Sequence, residues 1–386
     1  MAEGLDALDA GQAAATLDEN DLDLYFRLNV ERSGSDLFIQ TGSKPTARIN
    51  GLVKTIHEVP TPPSYSKKLL EHILNKRQQE VFWRDGETDS SHDIPTVGRF
   101  RANLFMARQR ISMVFRHVKS DIPTMQELTL PMAQAEKIAN LKRGIVFATG
   151  ITGSGKTTTL ASIINHINLT MEKHIVTLED PIEFIYKPDK CLINQREIRS
   201  DTMDFKLGLR NVVRQNPDVI LVGECRDTET MEAALAAAET GHLVFATLHT
   251  VNAIQSVERI LSFFPPHQHN LIRQQMSLTL KAIMSMRLIP KMEGFGRVPA
   301  IEILFDTPRI KDLLLEGNTK AIAQAVAEGK EHYGTQTFNQ ALHTLYKEGK
   351  ISFEDALLNA DNPDELKLEI RGISKGAKGG GGGGFK

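Results

Sequence analysis

The residues Gly150-Ile-Thr-Gly-Ser-Gly-Lys-Thr157 follow the spacing G-x-x-x-x-G-K-[ST], and each residue type in that pattern has a job. Gly150, Gly153 and Gly155 let the backbone close around an anion, so that successive N–H groups face phosphate oxygens at the start of a helix. Thr152, Ser154 and Thr158 supply further donors around the same loop. Lys156 has the length to reach β- and γ-phosphates, and the Thr157 hydroxyl is a ligand for Mg²⁺. A glycine-rich turn could match by chance, but the flanks argue against that. GIVFAT before the loop reads as a strand, and Thr158–Ile167 after it places Leu160, Ile163, Ile164 and Ile167 on one helical side. The expected ligand is therefore ATP with Mg²⁺.

Further candidates fall where short apolar runs end, and in open α/β sheets ligands sit outside those carboxyl ends. DVILVGE ends at Glu224, placed to order a water molecule or to hold Mg²⁺ through one. HIVTLEDPIEF carries Glu179, Asp180 and Glu183, and HLVFATLHT carries His249 after the run and His242 before it. Plainer readings exist for each. Asp180 reads equally well as a helix cap, and a histidine beside a core strand is more often a satisfied packing residue. His267 and His269 lie in a proline-rich loop and read as solvent-exposed, while Cys191 and Cys225 read as structural.

The elements that must position these groups follow from periodicity. Leu22, Leu24, Tyr25 and Leu28 have helical spacing, DLFIQTG and PTARINGLVKTI read as strands with a turn at Asn50-Gly51, and Ser66–Arg84 reads as a helical stretch. GRFRANLFMARQRISMVFRHV alternates like two paired strands. This predicts an α+β domain over residues 21–118 after a disordered extension at 1–20, with a linker at 119–130. Alternating apolar runs and helical stretches over 131–264 predict a parallel sheet covered on both faces. Residues 265–372 are predicted helical, LIRQQMSLTLKAIMSMRLI included, apart from a short strand at RVPAIEILF; residues 373–386 form a flexible Gly-rich tail.

Composition narrows the class. The 386 residues are 41% apolar with net charge -2, so no global basic excess draws the chain to nucleic acid or anionic lipid. Two cysteines make neither a disulfide framework nor a four-cysteine zinc site. The acidic, Ala-rich start is neither a signal nor a transit peptide, and no run is apolar enough to cross a bilayer.

Taken in order, GITGSGKTT, TLEDPIEF, NPDVILVGE and TGHLVFATLHT resemble the Walker A motif, Asp box, Walker B motif and His box of the secretion-type ATPases. NQREI and AAAETGHL resemble that group too. SGSDLFIQTGSKPTARINGLVKTI resembles the N-terminal domain of the type IV pilus retraction ATPases, PilT and PilU, and the resemblance spans roughly residues 21 to 369. LTLKAIMSMRLIP and TFNQALHTLYKEGKISFEDALLNADNPDELKLEI look more like the PilU branch. The resemblance implies an α/β chain with a PAS-like N-terminal domain followed by a RecA-like ATPase domain with a helical C-terminal part. It further implies a homo-hexameric ring in the cytoplasm, peripheral at the inner-membrane base of the pilus. That ring would hydrolyse ATP at subunit interfaces and work with a PilT-like ATPase and a PilC-like platform protein, and no specific nucleic acid is expected. Carried over motif by motif, Glu183 belongs to the Asp box and Glu224 to Walker B, either of them a candidate to activate water with Glu224 favoured, and His242 and His249 belong to the His box. Among Arg99, Arg101, Arg108, Arg110 and Arg116, it singles out Arg101 and Arg116 as candidates to neutralise phosphate charge from a neighbouring subunit; a solvated or ion-paired face is the equal alternative. Arg210 and Arg214 could do the same.

TPRIKDLLLEG departs from the retraction family's AIRNLIRE-type motif. Lys311 and Asp312 stand where that motif has Arg and Asn, and Leu315 replaces its second arginine. This suits a PilU-like protein that acts beside another motor. Two other readings, a largely non-catalytic ATP-binding ring subunit and a DNA-translocating ATPase, share the P-loop and part company with the first in the role they give the acids and in needing a basic channel.

Overall fold

The computed structural model of the chain describes residues 18–118, 121–293 and 296–371; the predicted extension at 1–20, for all but its last three residues, and the predicted Gly-rich tail lie outside them. By contacts the chain divides into residues 1–121 with 183–185, and residues 122–182 with 186–386.

Helix α1 (Leu24–Glu31), strands β1 (Asp36–Gln40), β2 (Thr46–Ile49) and β3 (Leu52–Thr55), helices α2 (Pro63–Ile73) and α3 (Lys76–Asp85), and strands β4 (Glu87–Ile94), β5 (Gly98–Ala107) and β6 (Arg110–His117) make the first unit. The sheet runs β3-β2-β1-β6-β5-β4, antiparallel throughout. Its tight turns need the left-handed region: Asn50 and Gly51 hold φ of 50° and 81° between β2 and β3. The apolar face of α1 sets the core, with the Phe26 ring edge-on to Phe100 and Phe115 at 4.9 and 4.8 Å between centroids. This is the α+β unit expected of a PAS-like domain.

The second unit begins with α4 (Met132–Ala139), β7 (Gly144–Thr149), α5 (Lys156–Thr170), β8 (His174–Glu179), β9 (Leu192–Glu197), α6 (Phe205–Val212), β10 (Val219–Val222), α7 (Thr228–Glu239) and β11 (Leu243–Leu248). It continues with α8 (Ala253–Ser262), α9 (His269–Thr279), β12 (Leu280–Pro290) and β13 (Arg297–Phe305). Helices α10 (Pro308–Glu316), α11 (Ile322–Glu328), α12 (Lys330–Tyr333), α13 (Phe338–Lys347), α14 (Phe353–Leu358) and α15 (Pro363–Ile370) close it. The sheet order is β13-β12-β7-β11-β10-β8-β9, with β7 to β11 parallel, β12 parallel to β7, and β13 antiparallel to β12. Every residue of β7, β10 and β11 is buried, which is why these strands read as unbroken apolar runs. One strand, β11, separates the P-loop strand β7 from the Walker B strand β10, the RecA-like arrangement.

One local expectation is corrected, and the structure adds detail at two other places. Leu280–Pro290 is strand β12, not helix. It lies between β7 and β13 with both faces largely covered, so its apolar residues carry no period of two, and periodicity alone cannot separate such a strand from a buried helix. The stretch Ser66–Arg84 is two helices, parted at Leu74 and Asn75, where Asn75 and Gln78 form a reciprocal capping box. Strands β4 and β9 were not anticipated. Both are sheet edges built from polar sequence (ETDSSHDI and LINQRE), and a half-solvated edge has little apolar signal to read.

Candidate active site

The P-loop spans the turn from β7 to α5, and its glycines are required for different reasons. At Gly153 a Cβ would meet nothing, so glycine is needed there for the backbone alone, at φ 78°. Gly155 stands at the N-cap of α5 with φ 95°; a Cβ there would meet Leu288 and Met286 only at ordinary contact distance, 3.6 Å or more, so its requirement is again the backbone. At Gly150, with φ 147°, a Cβ would fall 2.3 Å from Ser154 Oγ and 2.8 Å from the Met286 carbonyl oxygen. The loop is thus pressed against β12. Lys156 is buried and donates to the carbonyls of Gly150 and Ile151 at 2.7 and 3.0 Å. Buried Ser154 Oγ makes no hydrogen bond. Thr157 and Thr158 follow in the first turn of α5, where backbone N–H groups lack partners within the helix. A buried lysine, an unsatisfied hydroxyl and a helix start fit a phosphate chain, and Thr157 fits its Mg²⁺. A cavity of about 440 Å³ opens beside the loop, lined by Ile151, Thr152, Gly153 and Ser154 from one side and by Arg287 and Arg297 among others.

The parallel strands bring other predicted groups to the same edge of the sheet. Glu224 lies two residues past β10, its side chain only 12% exposed; Arg226 Nε is 2.7 Å from one carboxylate oxygen and His249 Nε2 is 3.5 Å from the other. His249 follows β11, so Walker B and His box meet because their strands are neighbours. Glu179, at the end of β8, is buried and accepts hydrogen bonds from Thr177 at 2.7 Å and Gln195 at 3.2 Å. Asp180 pairs with Arg199 at 3.5 Å, and Asp180 and Glu224 line one cavity of about 460 Å³. Glu183 is about half exposed and falls, by contacts, with the first unit.

His242 stands apart from these. It precedes β11 at the opposite end of the sheet, where Nδ1 lies 2.9 Å from the Ala237 carbonyl oxygen and 3.1 Å from Thr240 Oγ1, a partnership that closes α7. In the first unit, Arg101 and Arg116 face each other across β5 and β6. Arg116 Nε donates to buried Asp36 at 2.9 Å, and Arg48 approaches the other Asp36 oxygen at 3.6 Å, so this part of the arginine face is ion-paired. Arg210 and Arg214 are exposed at the end of α6.

Sequence reasoning passed over Arg226 and a buried polar chain under the P-loop strand. Thr149 donates to Ser285 at 3.0 Å, Ser285 bonds to Glu302, and Glu302 accepts from the N–H of Ala253 at 2.6 Å, at the start of α8. Burial pushes the Glu302 carboxyl up to about 7, against the lowering effect of the Ala253 N–H. A glutamate within the apolar run PAIEILF was the available signal.

The family described as Type II/IV secretion system protein matches residues 100–367. The type IV pilus ATPase PilU of Pseudomonas aeruginosa is 42% identical over 89% of this chain and 90% of its own length. The retraction ATPase PilT of the same organism is 40% identical over 90% of this chain and 100% of its own. A crystal structure of the pilus retraction motor PilT with bound ADP superposes with a TM-score of 0.79, at 40% identity, covering 90% of this chain and 98% of that one. A family match over residues 100–367, a matching fold and relatives aligned along nearly the whole length place the chain in the secretion ATPase family, among the PilT and PilU ATPases.

Proposed function

We propose that the chain hydrolyses ATP as one subunit of a homo-hexameric ring that drives type IV pilus retraction, and that it does so as a PilU-like partner of a PilT-like motor. The observation that carries the catalytic part is the Glu224–His249 pair at the sheet edge that also bears the P-loop. Lys156, the loop N–H groups and Thr157 would hold the triphosphate and Mg²⁺, with Glu224 reaching the metal through water. The bound metal would supply charge neutralisation on the transferred phosphoryl group. Glu224 would orient the attacking water, and His249 would hold that carboxylate in position. An arginine from a neighbouring subunit, Arg101 first among the candidates, would complete the charge neutralisation and tie turnover to closure of the interface.

The PilU-like assignment is supported by α10. Lys311 is committed to Asp306 at 3.2 Å, an acid that also binds Lys281 at 2.8 Å, and Leu315 is 52% exposed where the retraction motif carries an arginine. Neither of the two positions where the motif carries an arginine has one in this sequence. The expected site of action is the cytoplasmic base of the pilus, against a PilC-like platform protein. No helix among the described residues is long and apolar enough to cross a membrane.

The test is genetic and enzymatic together. Deletion should leave pili that assemble but retract poorly, and a Glu224→Gln allele should fail to restore retraction. The purified chain should run as a hexamer and turn over ATP without stimulation by DNA. Normal twitching in the deletion strain under all loads would sink the motor reading; ATP binding without turnover in the wild-type chain would favour the accessory subunit.

A further inference from the structure

Far from the nucleotide motifs in sequence, the first unit holds a cluster that the ATPase function does not use. Among the described residues, Asp23, His72 and His92 are the group whose ligand atoms all lie within 4.8 Å of one another. Three separate elements deliver them. Asp23 precedes α1, His72 is in the last turn of α2, and His92 is on the edge strand β4.

Their hydrogen bonding is incomplete in a specific way. An aspartate just before a helix ordinarily caps it, but the Asp23 side chain makes no cap hydrogen bond. Its Oδ1 is buried without a hydrogen-bond partner, and so is Nε2 of His92. These two atoms face each other in a long acid–histidine contact of 3.8 Å, beyond an ordinary hydrogen bond and close to the separation of two ligands on one ion. For tetrahedral zinc with bonds of roughly 2.0–2.1 Å, neighbouring ligand atoms sit about 3.3 Å apart. The His72 ring stands edge-on to His92, 5.1 Å between centroids, and brings a third donor to the same point. His72 is the exposed member of the three, and with it as the third ligand a fourth position would fall to water.

We propose that Asp23, His72 and His92 form a binding site for a divalent transition-metal ion of the zinc class. Two imidazoles and one carboxylate suit Zn²⁺, Co²⁺ or Ni²⁺ over the hard, oxygen-seeking Mg²⁺. An ion there would bind both atoms at ordinary bond lengths, where their direct contact is a long one of 3.8 Å, and it would give His72 a role. It also pins the start of α1 and the end of α2 to β4, a polar edge strand with few apolar contacts of its own. Asp93, the neighbouring acid, is already paired with Arg99 and is not part of the set.

The experiment uses the full chain, stripped with a chelator and titrated with Co²⁺ and then Zn²⁺. The expected result is one equivalent of Co²⁺ with the visible absorption of a low-symmetry, four-coordinate nitrogen–oxygen site. Zn²⁺ should displace it and raise the thermal midpoint by a few degrees. His72→Ala, at an exposed position where the fold should survive, should lose that equivalent and that absorption. His92→Gln should lose it as well, and circular dichroism should report both variants as folded. Absence of saturable Co²⁺ binding by the wild-type chain would overturn the proposal, leaving an ordinary acid–histidine contact. So would a spectrum and stoichiometry unchanged in His72→Ala, which would place the ion elsewhere among the chain's 12 histidines.

Discussion

Glu224 has both carboxylate oxygens engaged, by Arg226 at 2.7 Å and by His249 at 3.5 Å. A side chain held from two directions, nearly buried, is restrained in the way an acid that positions water must be. Glu224→Gln keeps the shape and removes the charge. It should lower ATP turnover by about 10²–10⁴-fold, the usual worth of a positioned general base, while a fluorescent nucleotide binds with near wild-type affinity. Equal losses in binding and turnover would instead assign Glu224 to ground-state contacts. The two arginines of the first unit should separate as well. Arg116 serves Asp36, so Arg116→Ala should cost roughly 1 kcal/mol of stability by leaving a buried acid with the Ser35 hydroxyl at 2.8 Å and the more distant Arg48 at 3.6 Å, both on its other oxygen. Arg101→Ala should impair turnover far more than nucleotide binding. Chemical denaturation of the two variants beside steady-state turnover distinguishes a structural arginine from a catalytic one.

At the scale of elements, the chain Thr149–Ser285–Glu302–Ala253 runs from the P-loop strand through β12 and β13 to the first turn of α8. It links the phosphate loop to the helix that follows His249. Glu302 has its folded-state pKa raised from 4.5 to about 7, so between those values the native chain holds a proton that the unfolded chain releases. Its contribution to stability is thus complete below about pH 4.5 and is lost as pH rises through about 7. Glu302→Gln should therefore remove a downward slope, of order 3 kcal/mol, from the stability profile. Urea unfolding of both proteins from about pH 5 to 8 measures it, and parallel profiles would refute the assignment. This network was not legible from sequence because its four residues come from four elements. The P-loop was legible because its glycines, lysine and hydroxyl are consecutive and their roles are set by the backbone between them.

For the whole molecule, the proposed ring makes one testable demand. If an arginine from one subunit completes the site of the next, inactive subunits should poison their neighbours. Mixing Glu224→Gln chains into wild-type rings should then depress turnover more steeply than the fraction of active subunits. A linear fall would mean independently firing sites. Hexamer formation measured on the same mixtures by mass keeps a failure of assembly from passing as a failure of coupling.

The family, the nucleotide loop and the identity of the strand-end acids can be read from the amino-acid order, since each is written in a run of adjacent residues. Strand order cannot. Glu224 and His249 meet because β10 and β11 are neighbours, a matter of which buried faces pack together. His242, seven residues from His249, is carried by β11 to the far end of the sheet, where it closes a helix. The polar edges β4 and β9 and the doubly buried β12 escaped reading for opposite reasons, too little apolar pattern in the first two and too uniform a pattern in the third. Chemistry and near neighbours set what a residue can do. Which partners it does it with depends on long-range packing, and that is settled only once the chain has folded.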